Sequence, residues 1–324
     1  MSYAHIIKEI GRGAEGSRDL ERADAEWLYG AMLDGGVPDL ELGAIVLALR
    51  MKGESDEEMG AFLASANARV HTLQNPSATL RPVVIPSYNG ARRGSNLTPL
   101  LALLLRRYGV PVLVHGLLEG YGRITSGHIF RELGILPAGS HGQAQQALAA
   151  DGLAFVPLPA IAPGLSSLLA LRARMGVRNS AHSLVKMIDP FAGEGVILAA
   201  ATHPPYLDTM RNIFCESRAS ALLLRATEGE PFANPKRCPR IEHLCDGRSE
   251  VLCEADHGSM KALPQLPDGA DAADTAAWTQ KVLDGRVPLP QPIARQLAAC
   301  LYASGHAGDF NQARAIVAVE GGAG

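Results

Sequence analysis

The chain has 324 residues, of which 47% are hydrophobic and 19% are charged, so we expect about two folded domains rather than extensive disorder. No apolar run reaches the roughly 18 residues that a membrane span needs, and the first residues lack the basic head and apolar stretch of a signal peptide. Five cysteines are too few to crosslink a chain of this length. We therefore expect a cytoplasmic protein with no membrane partner.

The net charge of −3 is distributed unevenly along the chain. Residues 1–75 carry a net charge of −6, residues 76–248 carry +7, and residues 249–324 carry −4. A basic middle between acidic ends predicts a localised anion-binding surface. Ordinary scatter of surface charges is the alternative interpretation.

The first 72 residues show apolar positions at helical spacing, which predicts three amphipathic helices. Two glycines and a proline in residues 35–38 separate the first two helices. Ser55 with Glu58 three residues later predicts a capping box at the start of the third helix, which we expect to end near Val70. Such a unit with acidic outer faces is typical of dimerisation domains, so we assign residues 1–75 to a helical dimerisation domain.

From residue 80 onward, short apolar runs alternate with helical segments. This alternation predicts an α/β fold with a mostly parallel sheet over residues 76–324. The predicted strands are 81–86, 109–116, 153–158, 196–201 and 219–225, and the predicted helices are 97–108, 129–133, 206–216, 291–304 and 310–317. Two further helices, 164–175 and 179–187, interrupt this pattern, and we expect the segment 163–188 to return to the helical domain.

The loops that follow the predicted strands are the expected site, because parallel sheets bind ligands at the carboxyl ends of their strands. These loops cover residues 87–96, 115–126, 203–206 and 226–234.

Several segments resemble the anthranilate phosphoribosyltransferases. They are VPVLVHG at 110–116, TSGHIFRELG at 125–134 and MGVRNSAH at 175–182, in the same order after a helical amino-terminal region. The resemblance covers nearly the whole chain. It implies a small helical domain, a larger α/β domain like that of the class II nucleoside phosphorylases, an active site between them, and a dimer formed through the helical domain.

The motifs of that family are altered in this chain. Its Gly-Thr-Gly-Gly-Asp loop, which wraps the diphosphate of phosphoribosyl pyrophosphate, aligns with residues 87–91, where only one glycine remains. Its Lys-His-Gly-Asn-Arg segment aligns with residues 114–118 and has lost three polar side chains. Its adjacent Asp-Glu pair, which holds magnesium, aligns near Glu228 and Glu230. The positions of the degenerate phosphoribosyl pyrophosphate cleft are Ser87, Tyr88, Asn89, Gly90, Asn96, Thr98, His115 and Gly116.

A second set of segments is more similar to the YbiB-like branch of the same superfamily, glycosyltransferase family 3. This set is SYNGARRGSNLTP at 87–99, LVHG at 113–116, GVRNSAH at 176–182, IDPF at 188–191, HPPY at 203–206 and RATEGEPFANP at 225–235. The resemblance implies a homodimer that binds nucleic acid through a basic groove with little sequence preference. It implies no catalytic residues and no cofactor.

Clusters of basic residues support that interpretation. Residues 81–131 contain seven arginines and one acid, and arginine donates paired hydrogen bonds to phosphate. The predicted nucleic-acid-binding residues are Arg92, Arg93, Arg106, Arg107, Arg123, Arg174, Arg178, Lys186, Arg211, Arg218, Lys236, Arg237 and Arg240.

Some of these residues also have a purely structural interpretation. Arg106 and Arg107 are favourable charges at a helix carboxyl end, and Arg174 and Arg178 suit the packing of helices. Tyr88 either stacks on a base or fills the emptied pocket, and Tyr121 is a second candidate for base stacking.

Metal binding and acid–base catalysis find little support in the residue spacing. Cys238, His243, Cys245, Cys253 and His257 lie near one another in the sequence, but they do not form the close cysteine pairs typical of zinc sites, so we expect no metal. His115, His128, His182 and His203 fall near the family cleft without a readable nucleophile, base and orienting group.

Three hypotheses for function follow. The first is a non-catalytic homodimer that binds DNA or RNA. The second is a glycosyl or phosphoribosyl transferase with an altered substrate, which would require Mg²⁺. The third is a regulatory protein that binds a small molecule in the emptied cleft.

Overall fold

The computed structural model describes residues 2–13, 15–256 and 265–320. The chain divides into two compact units: a helical unit of Met1–His71 and Leu158–Pro190, and an α/β unit of Thr72–Pro157 and Phe191–Gly324. Within the described ranges, no helix is long and apolar enough to cross a membrane.

Fourteen helices and seven strands occur in the described residues. The helices are α1 (Tyr3–Ile10), α2 (Arg22–Leu33), α3 (Asp39–Lys52), α4 (Asp56–Asn67), α5 (Thr98–Arg107), α6 (Ser126–Glu132), α7 (His141–Asp151), α8 (Leu158–Ile161), α9 (Pro163–Met175), α10 (Ala181–Leu184), α11 (Pro204–Ser217), α12 (Ala272–Leu283), α13 (Gln291–Ala303) and α14 (Phe310–Glu320). The strands are β1 (Val83–Ser87), β2 (Val112–Gly116), β3 (Leu153–Pro157), β4 (Val196–Ala201), β5 (Ala221–Arg225), β6 (Ile241–Cys245) and β7 (Arg248–Cys253).

The helical unit contains the predicted capping box. The Ser55 side chain accepts from the Glu58 amide at 3.2 Å, and the Glu58 carboxylate accepts from the Ser55 amide at 2.9 Å. The fully buried Glu58 carboxylate is also paired with Lys52 at 2.7 Å. The helix that it begins, α4, packs on α2 through stacked rings of Tyr29 and Phe62, whose centroids lie 4.4 Å apart.

The helical unit differs from the prediction at α1, at α10 and at α8, which was not predicted. Helix α1 was not predicted, although the Ser2 side chain caps it and Ile6 and Ile10 are buried. Helix α10 covers 181–184 rather than 179–187, because the Asn179 side chain accepts from the Ala181 amide and begins the helix late.

The α/β unit is built on a seven-stranded sheet in the order β3-β2-β1-β4-β5-β6-β7. Strands β1 to β5 are parallel, and β6 and β7 run antiparallel at one edge. The predicted mostly parallel sheet is confirmed. Every residue of β1, β2 and β4 is buried. Strands of a parallel sheet are covered on both faces, which explains why their sequences are near-continuous apolar runs.

The β6–β7 hairpin was missed. Its turn, Asp246-Gly247, has positive φ angles of 50° and 79°, and Asp-Gly between alternating residues is a recognised hairpin signal. Helices α7 and α12 were missed as well.

The parallel strands bring their carboxyl ends to one edge of the sheet. β1 and β2 approach so closely there that a Cβ atom on Gly116 would lie 1.7 Å from the Ser87 carbonyl oxygen. This position therefore requires glycine. Residues 88–97 follow β1 at this edge and lead into α5, and residues 226–234 follow β5. These two loops hold the candidate site.

Candidate functional site

Polar side chains of the loop after β1 are buried and bonded to one another. The Ser87 and Ser126 hydroxyls lie 2.6 Å apart, and the Asn96 amide donates to the Ser126 hydroxyl at 3.1 Å. The Thr98 amide donates to the Asn96 side chain at 3.1 Å, which fixes the start of α5. Tyr88 is buried, with 6% of its surface exposed, so it is not available as a free stacking platform.

Glu230 fills the centre of this buried cluster. One carboxylate oxygen accepts from the backbone amides of Asn89 at 2.8 Å and Gly90 at 2.7 Å. The other oxygen accepts from the Ser87 hydroxyl and, at 3.4 Å, from the Thr98 hydroxyl. Glu230 is fully buried. The first amides of the loop are therefore bound to a carboxylate of the chain itself.

Glu228 occupies the second half of the same loop. Its carboxylate accepts from three consecutive backbone amides: Arg92 at 2.9 Å, Arg93 at 3.1 Å to both oxygens, and Gly94 at 2.9 Å. Consecutive amides that converge in this way form a concave anion-binding nest. We call residues 92–94 the amide nest.

A tight turn holds both carboxylates in position. The backbone amide of Thr227 donates to the Glu230 carbonyl, and the Glu230 amide donates to the Thr227 carbonyl. Between them, Glu228 and Gly229 have φ angles of 52° and 93°. Gly229 lies so close to Asn89 that a side chain on it would approach the Asn89 amide nitrogen to 2.1 Å. The Asn89 side chain also donates to the Glu228 carbonyl.

The two carboxylates do not fit the role of magnesium ligands in this arrangement. Each of the four oxygens of Glu228 and Glu230 already accepts two hydrogen bonds. Magnesium requires free carboxylate oxygens together with the oxygens of a diphosphate. In the part of the chain that the structure describes, no group of three or more His, Cys, Asp or Glu side chains could hold a metal ion.

A cavity of about 1210 Å³ in the α/β unit lies beside the amide nest. Glu228 and Arg93 line it, together with residues that follow β4 and β5 and residues of the β6–β7 hairpin. Its basic lining residues are Arg93, Arg211, Arg225, Lys236, Arg237 and Arg240. We call this space the basic cavity. Five of these six residues were predicted from the sequence.

Two of the basic residues are held by acids. Arg211 donates to the Glu242 carboxylate at 2.8 and 2.9 Å and to Asp208 at 2.6 Å, and Arg240 lies 3.1 Å from Glu242. The hydrogen bonds with Glu242 raise the pKa of Arg211 above its ordinary value. Burial is the largest single influence on the pKa of Glu242 and raises it, but the hydrogen bond and charge of Arg211, the Ser249 hydrogen bond and the charge of Arg240 together outweigh burial, so the net shift of that pKa is downward.

The other four basic residues are exposed, and their side chains form no ion pair with an acid within the described ranges. They are Arg93, Arg225, Lys236 and Arg237. Arg225 was not predicted, although it directly follows the apolar run of β5, a position where parallel sheets present ligand-binding residues.

The remaining predicted basic residues lie elsewhere. Arg92 belongs to the amide nest through its backbone and is exposed, and Arg123 donates to the Gly90 carbonyl at 3.1 Å. Arg106 and Arg107 end α5, at the opposite end of that helix from the site. Arg218 follows the end of α11 with a φ of 56°, so it does not continue the helical face of Arg211. Three more belong to the helical unit: Arg174, Arg178 and Lys186.

The histidines near the family cleft do not assemble a catalytic group. His115 is fully buried, neither ring nitrogen has a hydrogen-bond partner in the described residues, and burial lowers its pKa to about 4. Burial, together with the charge of Arg178, lowers the pKa of His182 in the helical unit to about 4. His128 lies 2.8 Å from the Thr125 hydroxyl at the start of α6.

Among the described residues of the cysteine-rich segment, no group of three His, Cys, Asp or Glu side chains could hold a metal ion. Cys238 and Cys253 are buried and Cys245 is half-buried, all as free thiols. Burial raises the pKa of Cys253, which keeps the thiol protonated. His257 lies outside the described residues.

Comparisons with known proteins agree with this architecture. Residues 4–68 match the family model described as "Glycosyl transferase family, helical bundle domain". The uncharacterized protein YbiB of Escherichia coli (strain K12) is 44% identical over 98% of this chain and 99% of that protein. An anthranilate phosphoribosyltransferase of Synechococcus sp. (strain JA-2-3B'a(2-13)) is 28% identical over 93% of this chain and 90% of that protein.

Solved structures share the fold. Anthranilate phosphoribosyltransferase (TrpD) from Thermus thermophilus matches with a TM-score of 0.78 at 20% identity, over 96% of this chain and 92% of that one. The Saccharomyces cerevisiae enzyme in complex with PRPP and Mg matches with a TM-score of 0.73 at 11% identity, over 97% and 92%. The predicted fold class is confirmed. By its 44% identity to YbiB over almost the entire length, the chain belongs to the YbiB-like branch of the anthranilate phosphoribosyltransferase (glycosyltransferase family 3) superfamily.

Proposed function

We propose that this protein binds the phosphate backbone of DNA or RNA at the basic cavity, with little sequence preference and without catalysis. The observation that carries the proposal is the set of four exposed cations around one cavity whose side chains form no ion pair with an acid in the described residues: Arg93, Arg225, Lys236 and Arg237. Such cations are available to neutralise phosphates, and contacts of this kind supply most of the affinity in non-specific nucleic-acid binding.

The occupied loop after β1 supports binding rather than transfer. Phosphoribosyl transfer in the related family needs the loop amides for the diphosphate. In this chain Glu230 and Glu228 accept from five of those amides, from Asn89 to Gly94. A bound diphosphate would meet negative charge at this position, whereas the rim of the basic cavity presents free positive charge.

A phosphoribosyl or glycosyl transferase with an altered substrate is the second candidate. The comparisons favour it over nucleic-acid binding, because the relatives with a named activity are anthranilate phosphoribosyltransferases, and the yeast structure contains PRPP and Mg. In this chain the candidate requires Glu228 and Glu230 to release the loop amides and to bind Mg²⁺ with the diphosphate.

Two assays on the wild-type chain separate the candidates. Filter binding of single- and double-stranded DNA and RNA at low salt tests the first, and retention of several unrelated sequences is the expected result. Magnesium-dependent consumption of phosphoribosyl pyrophosphate tests the second, and we expect none. Consumption without nucleic-acid retention would reverse the order of the two candidates.

We further propose that the partner of the helical unit is a second copy of the chain. Leu40, Leu47 and Met51 of α3 are 82%, 46% and 78% exposed, and their spacing of seven and four residues places them on one helical face. Exposed apolar patches of this kind are typical of interfaces. Light scattering should give a dimer for the wild type and a monomer for Leu40→Glu with Met51→Glu. A monomeric wild type would overturn the proposal.

A further inference from the structure

Two exposed tyrosines lie at the edge of the sheet where the parallel strands end. Tyr121 follows β2 and is 63% exposed, and Tyr206 lies in the first turn of α11, after β4, and is 40% exposed. Among the described residues of the α/β unit, no other phenylalanine, tyrosine or tryptophan is exposed. Tyrosine is enriched at binding surfaces, because its ring is apolar and its hydroxyl tolerates water. Both rings therefore mark this edge of the sheet as a binding surface.

The strand order places the two tyrosines on either side of the loop after β1. β2 and β4 both neighbour β1, and adjacent strands are about 4.8 Å apart, so the ends of β2 and β4 lie about 10 Å apart. The exposed Arg92 and Arg93 follow β1 between them, and the exposed Arg225 ends β5 on the other side of β4. Along this edge, the loops that carry exposed rings alternate with segments that carry exposed guanidinium groups.

The backbone that carries the Tyr121 ring is held by several hydrogen bonds. Reciprocal backbone bonds between Ala91 and Ile124, at 2.9 and 2.8 Å, join its loop to the loop after β1. The Thr125 hydroxyl donates to the Leu118 carbonyl at 3.0 Å and closes the loop. Tyr121 itself has a φ of 50°, a conformation that persists only where the surrounding structure determines it. A ring on such a backbone loses little conformational freedom when a ligand stacks on it.

Tyr206 is held by the start of α11. Pro204 and Pro205 precede it at the first two positions of the helix, where the fixed φ of proline suits the helical conformation. The Tyr206 amide donates to the His203 carbonyl at 3.2 Å, and the centroids of their two rings lie 6.5 Å apart. Pro204 and Leu207 line the basic cavity. Tyr206 therefore belongs to a segment that borders the proposed phosphate-binding surface.

We propose that Tyr121 and Tyr206 are stacking sites for unpaired bases of a single-stranded nucleic acid, whose phosphates bind the arginines beside them. This inference rests on the proposed nucleic-acid binding and adds the class of nucleic acid to it. Every base has a π-face, so stacking on a tyrosine ring requires no particular sequence. In a duplex the bases are stacked on one another, and extruding one costs unstacking energy. The two tyrosines therefore favour single strands over duplexes.

The test is fluorescence anisotropy of the full-length chain with three labelled probes of equal length at one low salt concentration. The probes are a thymidine oligonucleotide, an abasic single strand, which keeps the phosphates without the bases, and a duplex. Tyr121→Ala with Tyr206→Ala removes both rings, and Tyr121→Phe with Tyr206→Phe keeps them. Leu136→Ala with Val319→Ala is the matched control, because both residues are exposed apolar side chains of the α/β unit outside the loops that follow the strands.

We expect the wild type to bind the thymidine strand at least about fivefold more tightly than the abasic strand, because stacking on an aromatic ring contributes to affinity for each base. The double alanine variant should lose this preference, whereas its affinity for the duplex should change less than about twofold, because the phosphate contacts remain. The double phenylalanine variant and the control should keep the preference for the thymidine strand.

Equal affinities of the wild type for the thymidine and abasic strands would overturn the inference and leave the proposed binding of the phosphate backbone intact. The same loss of preference in the control variant would also overturn it. Binding of none of the three probes would overturn the proposed function and this inference together. If the double alanine variant is unfolded by circular dichroism, Tyr121→Ala alone decides, and an unchanged preference in that variant would contradict the role of its ring.

Discussion

Two neighbouring regions of the α/β unit differ in how far their polar side chains are buried and hydrogen-bonded. In the sealed interior, Glu230 and His115 are fully buried, and the Glu230 carboxylate is satisfied by four donors. At the open rim, Glu228 is half-buried and the cations around it are exposed. We infer that the buried contacts of Glu230 serve stability, and we expect the proposed ligand binding to take place at the rim.

Removing Glu230 should have the largest effect. Glu230→Ala leaves the amides of Asn89 and Gly90 and the Ser87 hydroxyl without their acceptor in a buried site. Each unsatisfied buried donor costs about 1–3 kcal/mol, so we expect the free energy of unfolding to fall by about 3 kcal/mol or more. Urea unfolding followed by circular dichroism measures it. A loss below about 1 kcal/mol would show that the interior is open to water.

Lowering the pH should decrease the free energy of unfolding through protonation of His115. Its pKa is lowered from 6.5 to about 4 in the folded chain, so between these values the unfolded chain binds more protons. Stability is therefore retained above pH 6.5 and falls as the pH drops toward 4, by about 3 kcal/mol from this residue alone. The difference between wild type and His115→Leu in urea unfolding, measured at roughly pH 7, 5.5 and 4.5, isolates this effect. Parallel pH profiles of the two proteins would contradict it.

Removing Glu228 should affect stability much less than removing Glu230. Arg93 and Gly94 line the basic cavity, so we expect water to replace the carboxylate there. We expect Glu228→Ala to lower the free energy of unfolding by about 1 kcal/mol, measured in the same urea series. An effect as large as that of Glu230→Ala would remove the distinction between rim and interior.

The exposed cations should contribute least to stability and most to binding. Lys236→Ala combined with Arg237→Ala should change the free energy of unfolding by less than about 0.5 kcal/mol. The log–log salt slope for duplex binding should become shallower by about 1.8, or about 0.9 for each lost phosphate contact. Arg131→Ala with Arg314→Ala is the charge-matched control, since both residues are exposed and outside the cavity lining. An equal decrease of the salt slope in the control variant would mean that the duplex does not bind preferentially at the basic cavity.

The sequence predicted the secondary-structure elements of this protein better than its tertiary contacts. All five parallel strands were predicted because fully buried strands are near-continuous apolar runs, as in β4. The capping box at Ser55 was predicted because its spacing is local. The β6–β7 hairpin was missed although its Asp-Gly turn carried a signal.

The site was predictable in composition but not in arrangement. Basic residues of the rim, such as Lys236 and Arg237, were predicted from clusters in the sequence. The contacts of Glu228 with residues 92–94 span 134 to 136 positions, and no local pattern specifies such a pairing. Which cations are free also depends on tertiary contacts: Glu242 holds Arg211 and Arg240, whereas Arg225 has no such partner in the described residues.

Fluorescence anisotropy of the wild-type chain with labelled single- and double-stranded oligonucleotides, titrated across salt, tests the central claim most directly. We expect binding at low salt for unrelated sequences, with log affinity falling linearly as log salt rises. No binding of any oligonucleotide at low salt would contradict it and would leave phosphoribosyl transfer as the better supported function.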